Sequence, residues 1–148
     1  MPLAALFPGQ GSIAPGAGRP WADHDAWSVV ARVEVLAERP LAHLLLEETD
    51  DVAAALRAAD AAQLATFALG LVAWEAVRPR LDGLAAVAGH SLGQITALVA
   101  AGAVGFDDGA RLAAARADDC RAADDANPGR LAALLGATVE QATEACEA

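Results

Sequence analysis

Leu84-Ala85-Ala86-Val87-Ala88-Gly89-His90-Ser91-Leu92-Gly93, followed without a break by Gln94 to Ala101, reads as a short buried strand, a sharp turn and a helix. Five apolar residues are a strand's length, and the flanking glycines mark a bend too tight for most side chains. Gly89-x-Ser91-x-Gly93 in that setting is the nucleophile-elbow pattern. Such a turn holds the Ser91 hydroxyl exposed at the end of the strand, in a crowded and strained corner. Leu92 then stands at the helix start, where a free N–H and the helix dipole favour a developing oxyanion.

Working outward, Leu3 to Phe7 is a second short apolar run, cut by Pro8-Gly9, and it predicts a buried strand running into a Gly/Pro-rich loop up to Pro20. Asp23 or Asp25 can cap a helix from Ala26 to Glu38, which Pro40 stops. A helix pair is expected over Leu41 to Glu47 and Val52 to Ala59. Ala61 to Val77 is apolar nearly all round, so it predicts a buried helix packed on a sheet and ended by Pro79. Phe106-Asp107-Asp108 opens another helix with acids at its positive end, running to about Ala123 before Asn127-Pro128-Gly129. Leu131 to Leu135 reads as a third strand, and Thr138 with Gln141 has the form of a capping box opening a last helix. Strands alternating with helices predict an α/β architecture with parallel pairing.

The chain has 148 residues, a length suited to one core. Hydrophobic residues make up 55% of it, but 41 are alanine, so the core is expected to be helix-rich and built from small side chains. Ten basic residues, all arginine, face 20 acids, for a formal net charge of -10. That balance repels phosphate backbones and anionic lipid surfaces, and an aromatic content of 4% offers little base stacking, so neither nucleic acid nor membrane is an expected partner. The start, Met1 to Pro8, lacks a basic region before its Pro-Gly break, and the most apolar runs fall short of a bilayer span, so a cytoplasmic location is expected. Cys120 and Cys146 are far apart without nearby histidines, which predicts neither a metal site nor a disulfide. His24 and His43 read as surface or packing residues, and His90 as a support of the turn, since neighbours on an elbow point different ways.

Phe7-Pro8-Gly9-Gln10-Gly11-Ser12 taken together with Gly89-His90-Ser91-Leu92-Gly93 resembles the malonyl-CoA:acyl carrier protein transacylase family. Ala62-Gln63, Ala100 to Ala103, and Arg111-Leu112 through Arg116 extend the likeness over essentially the whole chain. The resemblance implies a partial α/β-hydrolase-like large subdomain over 1–128, and over 129–148 the truncated start of a ferredoxin-like small subdomain. It implies that Ser91 takes the malonyl group from malonyl-CoA as an ester and passes it to the phosphopantetheine thiol of acyl carrier protein, in fatty acid or polyketide synthesis. By the same likeness, the backbone N–H groups of Gln10 and Leu92 form the oxyanion hole, Arg116 grips the malonyl carboxylate, Gln63 lines the site, and Gly89, His90 and Gly93 build the elbow. No cofactor is implied beyond malonyl-CoA as substrate.

The family takes its base histidine from well downstream of the serine, and no histidine follows Ser91 here. The chain therefore resembles an amino-terminal half, expected to be poorly stable alone and to need a carboxy-terminal half as partner. Gln94, Ile13, Leu131 and Ala17 stand where the family usually has glutamate, glutamine, methionine and methionine. Two other readings compete: a non-catalytic or decaying remnant without its base, and a serine thioesterase or hydrolase, which leaves Arg116 unexplained. Any basic face for an acidic carrier protein is expected from clusters such as Arg78 and Arg80 or from the other half.

Overall fold

Leu3–Phe7 forms strand β1 and Leu84–Gly89 forms strand β2, which pair in parallel in a computed structural model that describes residues 2–128 and 134–147. The 76 residues that separate Phe7 from Leu84 are what a parallel crossover allows and a hairpin would not need. They carry four helices, α1 (Ser28–Ala37), α2 (Ala42–Leu46), α3 (Asp50–Ala55) and α4 (Ala59–Val77). After β2 come α5 (Gly93–Ala100), α6 (Phe106–Ala126) and α7 (Val139–Glu147).

Local chemistry sets several of these ends. The first helix begins as a 3-10 turn at Asp25–Trp27, and its first N–H groups are met by His24, whose Nδ1 accepts from the Ala26 N–H at 3.0 Å. Neither Asp23 nor Asp25 is the cap, because the tight turn makes Asp25 the first helical residue. The Glu34 carboxylate reaches from α1 to the start of α2, accepting from the N–H groups of Leu41 (2.6 Å) and Ala42 (2.8 Å), so a helix opens without a capping residue of its own. Thr49 caps α3 by accepting from Val52 N–H. Thr138 and Gln141 form the expected capping box at α7, each accepting from the other's backbone.

Helix α4 is buried along almost its whole length, as its apolar surface requires, but it packs chiefly on α6, with α5 and α1 also against it. It meets the sheet through Trp74, set edge-on to Phe7 with ring centroids 5.8 Å apart. Gly109, Ala110, Ala113 and Ala117 line the buried side of α6, so a helix rich in small residues can lie close to its neighbours. The expected strand over Leu131 to Leu135 falls mostly on residues 131–133, outside those described; Leu134 and Leu135 are exposed and in no strand.

Among the described residues the sheet has two strands, open at both edges. Ala5, Phe7 and Val87 face the helices. On the other face Ala4 pairs with Ala86 and Leu6 with Ala88, and all four are exposed, Leu6 by 77%. Parallel sheets are ordinarily covered on both faces, so this is an apolar surface without its second layer.

The first turn of α5 lies on the ends of both strands. A Cβ at Gly93 would fall on the Phe7 carbonyl, and one at Gly89 on the Gly93 carbonyl. Gly93→Ala is expected to cost at least ~3 kcal/mol in urea unfolding. Gly102→Ala, at φ +70 with nothing within 4 Å, is expected to cost only about 1 kcal/mol. Equal losses would mean that this close approach does not organise the fold.

Candidate active site

Ser91 sits in the turn between β2 and α5 at φ +52, in the left-handed region that side chains with a Cβ avoid. The turn is held by its own backbone: the His90 N–H donates to the Phe7 carbonyl (3.0 Å), and the His90 carbonyl accepts from Gly93 N–H (2.8 Å). The strain at Ser91 is thus imposed from both sides, by β1 and by the start of α5. The His90 side chain is exposed and makes no hydrogen bond to Ser91.

The loop after β1 lies directly on this turn. A Cβ at Gly9 would stand 3.0 Å from His90 Nδ1 and 3.3 Å from Ser91 Cβ, so only a residue of glycine's size keeps the two segments this close without displacement. The Ser12 hydroxyl donates to the Gly9 carbonyl at 2.7 Å and closes the loop. Gln10, one residue on, is exposed, while Leu92 is fully buried as the N-cap of α5. Neither backbone N–H donates to another described residue. Two uncommitted donors therefore flank the Ser91 segment, one of them at a helix N-terminus where negative charge is favoured.

Arg116 comes to the same point from α6. Its Nη2 donates to Ser91 Oγ at 3.0 Å, and its Nη1 donates to Gln63 Oε1 on α4. Gln63 is completely buried, and its Nε2 has no hydrogen-bond partner among the described residues. A buried amide donor left open beside a guanidinium is a costly arrangement unless a further acceptor completes it. Arg116 does not turn to its neighbours Asp118 and Asp119; the Asp118 carboxylate pairs with Arg39. Ser91, Gln63 and Arg116, up to 53 residues apart in the chain, are thus joined through the Arg116 guanidinium, with Leu92 next to Ser91 in the turn and Gly9 packed against it.

His24 and His43 are exposed, and neither hydrogen-bonds to Ser91. Among the described residues Arg116 is the only hydrogen-bond partner of Ser91 Oγ, and it can donate but not take a proton. Arg78 and Arg80 lie in a turn before the first residue of β2, whereas the elbow follows its last. They do not hydrogen-bond to Ser91, Gln63 or Arg116.

The sequence reading missed an ion cluster one turn from Gln63. Asp60 accepts from Arg121 at 2.9 Å and stands 3.6 Å from Arg39, which also pairs with Asp118. Burial opposes charge on Asp60, but the hydrogen bond from Arg121, the Ala61 N–H and the Arg121 charge outweigh it and hold the carboxyl below its ordinary pKa. No sequence signal announces this, since its members come from three separate segments. Among the described residues no cluster of histidine, cysteine and acids suits a metal ion, and no helix is long and apolar enough to cross a membrane.

These features define the class: an α/β protein with a serine elbow and an arginine beside the serine. No sequence-family profile matches the chain. It is 39% identical over 134 residues to a polyketide biosynthesis protein, ThaF, of Burkholderia thailandensis, covering 90% of this chain and 11% of that one. It is 36% identical over 141 residues to a malonyl CoA-acyl carrier protein transacylase of Mycobacterium bovis, covering 90% of this chain and 45% of the relative. The solved malonyl-CoA:acyl carrier protein transacylase of Xanthomonas oryzae superposes with a TM-score of 0.77 at 30% identity, covering 99% of this chain and 48% of that one. The chain is thus similar, over nearly all of its own length, to malonyl-CoA:acyl carrier protein transacylases, and it spans less than half the length of the relatives it matches.

The strain at Ser91 is open to measurement. Ser91→Gly and Ser91→Ala both remove the hydroxyl, but only glycine accepts φ +52 freely. Ser91→Gly is expected to be the more stable of the two by about 1 kcal/mol in urea unfolding. Equal stability would show that the elbow is unstrained.

Proposed function

We propose that this chain carries the acyl-accepting serine and the carboxylate-binding arginine of a malonyl transfer reaction, from malonyl-CoA to the phosphopantetheine thiol of an acyl carrier protein. The observation that carries the reading is the Arg116 guanidinium within hydrogen-bond distance of Ser91 Oγ. A planar, permanently charged donor at that point suits an acyl chain that ends in a carboxylate. It has no use in the hydrolysis of a neutral ester or thioester.

In the proposed sequence Ser91 Oγ attacks the thioester carbonyl while its proton passes to a base. The oxyanion is met by the N–H groups of Gln10 and Leu92, and CoA leaves as its thiol with the proton returned. The Arg116 Nη2 that donates to Ser91 Oγ turns to the malonyl carboxylate, and Gln63 holds the other side of the guanidinium. The carrier thiol then attacks the Ser91 ester, forming the malonyl thioester and restoring the hydroxyl.

The base is assigned to a carboxy-terminal half of the kind the longer relatives carry, because among the described residues nothing within hydrogen-bond reach of Ser91 can take its proton. The same half covers the apolar face of Leu6 and Ala88. Residues 1–128 form the larger unit in this reading and 129–148 open a second, and the reaction is cytoplasmic, in fatty acid or polyketide synthesis.

Intact mass after brief exposure to malonyl-CoA tests this, with the chain alone and with a polypeptide matching the remainder of a malonyl transacylase relative. A malonyl adduct is expected on wild type and not on Ser91→Ala, formed faster when the second polypeptide is present. A folded chain that takes no adduct in either setting would make this a non-catalytic relative.

A further inference from the structure

We propose that Asp60 is a positioning residue for Arg116: through Arg121 it fixes where α6 lies along α4, and so where the guanidinium stands relative to Ser91. The inference rests on the reading of Arg116 as the carboxylate-binding donor.

The two helices run antiparallel, as three contacts show. Asp60 meets Arg121, Gln63 meets Arg116, and the Phe67 ring lies 3.8 Å from where a Gly109 Cβ would be. Asp60 is one helical turn from Gln63, a rise of about 4.5 Å, and Arg121 lies about 7.5 Å along α6 from Arg116. Along this contact α6 presents Ala113 and Ala117, both buried. Alanine methyls interlock weakly and leave sliding of one helix on the other little resisted by shape. The polar contacts set the register instead.

Asp60 suits that task. It is 9% exposed, accepts from Arg121 at 2.9 Å, and is 3.6 Å from Arg39, whose other nitrogen pairs with Asp118 of α6. Arg39 follows α1, so one carboxylate ties α4 directly to α6 and again through the end of a third helix. A long side chain such as Arg116 reaches Ser91 Oγ only from a narrow range of helix positions. A slip of a fraction of a turn breaks that contact or the one to Gln63.

The test is equilibrium binding of free malonate and free acetate to the whole chain, followed by NMR. Wild type is expected to bind malonate more tightly than acetate, which tests the Arg116 reading by itself. Asp60→Asn and Arg121→Gln are each expected to weaken malonate binding about fivefold or more, with acetate little changed. Arg121→Lys, which keeps the charge, should recover most of the loss. Arg121 is 59% exposed, so its replacement leaves a folded protein even where Asp60→Asn does not. Asp107→Asn severs the 2.5 Å pair with Arg32 at the other end of α6 and should leave the malonate-to-acetate ratio as in wild type. A wild-type preference that survives both Asp60→Asn and Arg121→Gln would overturn the Asp60 proposal alone, as would an equal loss in Asp107→Asn. A wild type that does not distinguish malonate from acetate would overturn the Arg116 reading and this proposal with it.

Discussion

The first turn of α5 presses on the ends of both strands so closely that Gly89 and Gly93 have no room for a Cβ. Everything at the candidate site follows from this contact. It brings the Phe7 carbonyl to the His90 N–H, forces Ser91 into the left-handed region, and places Leu92 with its free N–H at the start of a helix. The loop after β1 then has one place to go, over the turn, and Gly9 is small enough to let it settle there. Two glycine-dependent approaches therefore set the loop after β1 against the turn that carries the Ser91 hydroxyl before any side chain contributes chemistry.

The side-chain half of the site comes from the helix layer. Small residues on α6 bring it close to α4, and two charged or polar contacts, Asp60 with Arg121 and Gln63 with Arg116, fix its place. In the proposed reaction the backbone donors and Arg116 serve different parts of the substrate. The donors would address a carbonyl at any acyl ester, whereas the guanidinium would discriminate by what lies at the chain's other end, so that on this proposal Arg116 turns an elbow suited to general acyl chemistry toward an acyl group that ends in a carboxylate.

Both strands were legible because each is a short apolar run stopped by Pro-Gly or by the elbow, with little ambiguity of period. The elbow itself was legible as a motif, since glycine spacing reports close backbone approach. Helix ends were harder. The first helix was given an aspartate cap by residue type, but a 3-10 turn shifted the start and handed the role to His24. Helix α6 runs to Ala126 rather than about Ala123, because the acids near its end weaken a helix without stopping it, and Pro128 is the first residue that does. The convergence of Gln63 and Arg116 on Ser91 was available only through family resemblance, since nothing in spacing links residues 53 apart. Asp60 carried no motif at all, and its importance appears only once α4 and α6 are seen side by side.

The open face of the sheet and the lack, among the described residues, of a proton acceptor beside Ser91 belong together in this account, since the proposed carboxy-terminal half answers both. What remains specific to this chain is the choice of acyl group. That claim is met most directly by offering equal malonyl-CoA and acetyl-CoA to wild type and to Arg116→Ala, each with the complementary polypeptide, and reading which adduct Ser91 carries by intact mass. The account predicts malonyl on wild type and a shift toward acetyl on Arg116→Ala. The same adduct ratio on both proteins would contradict it.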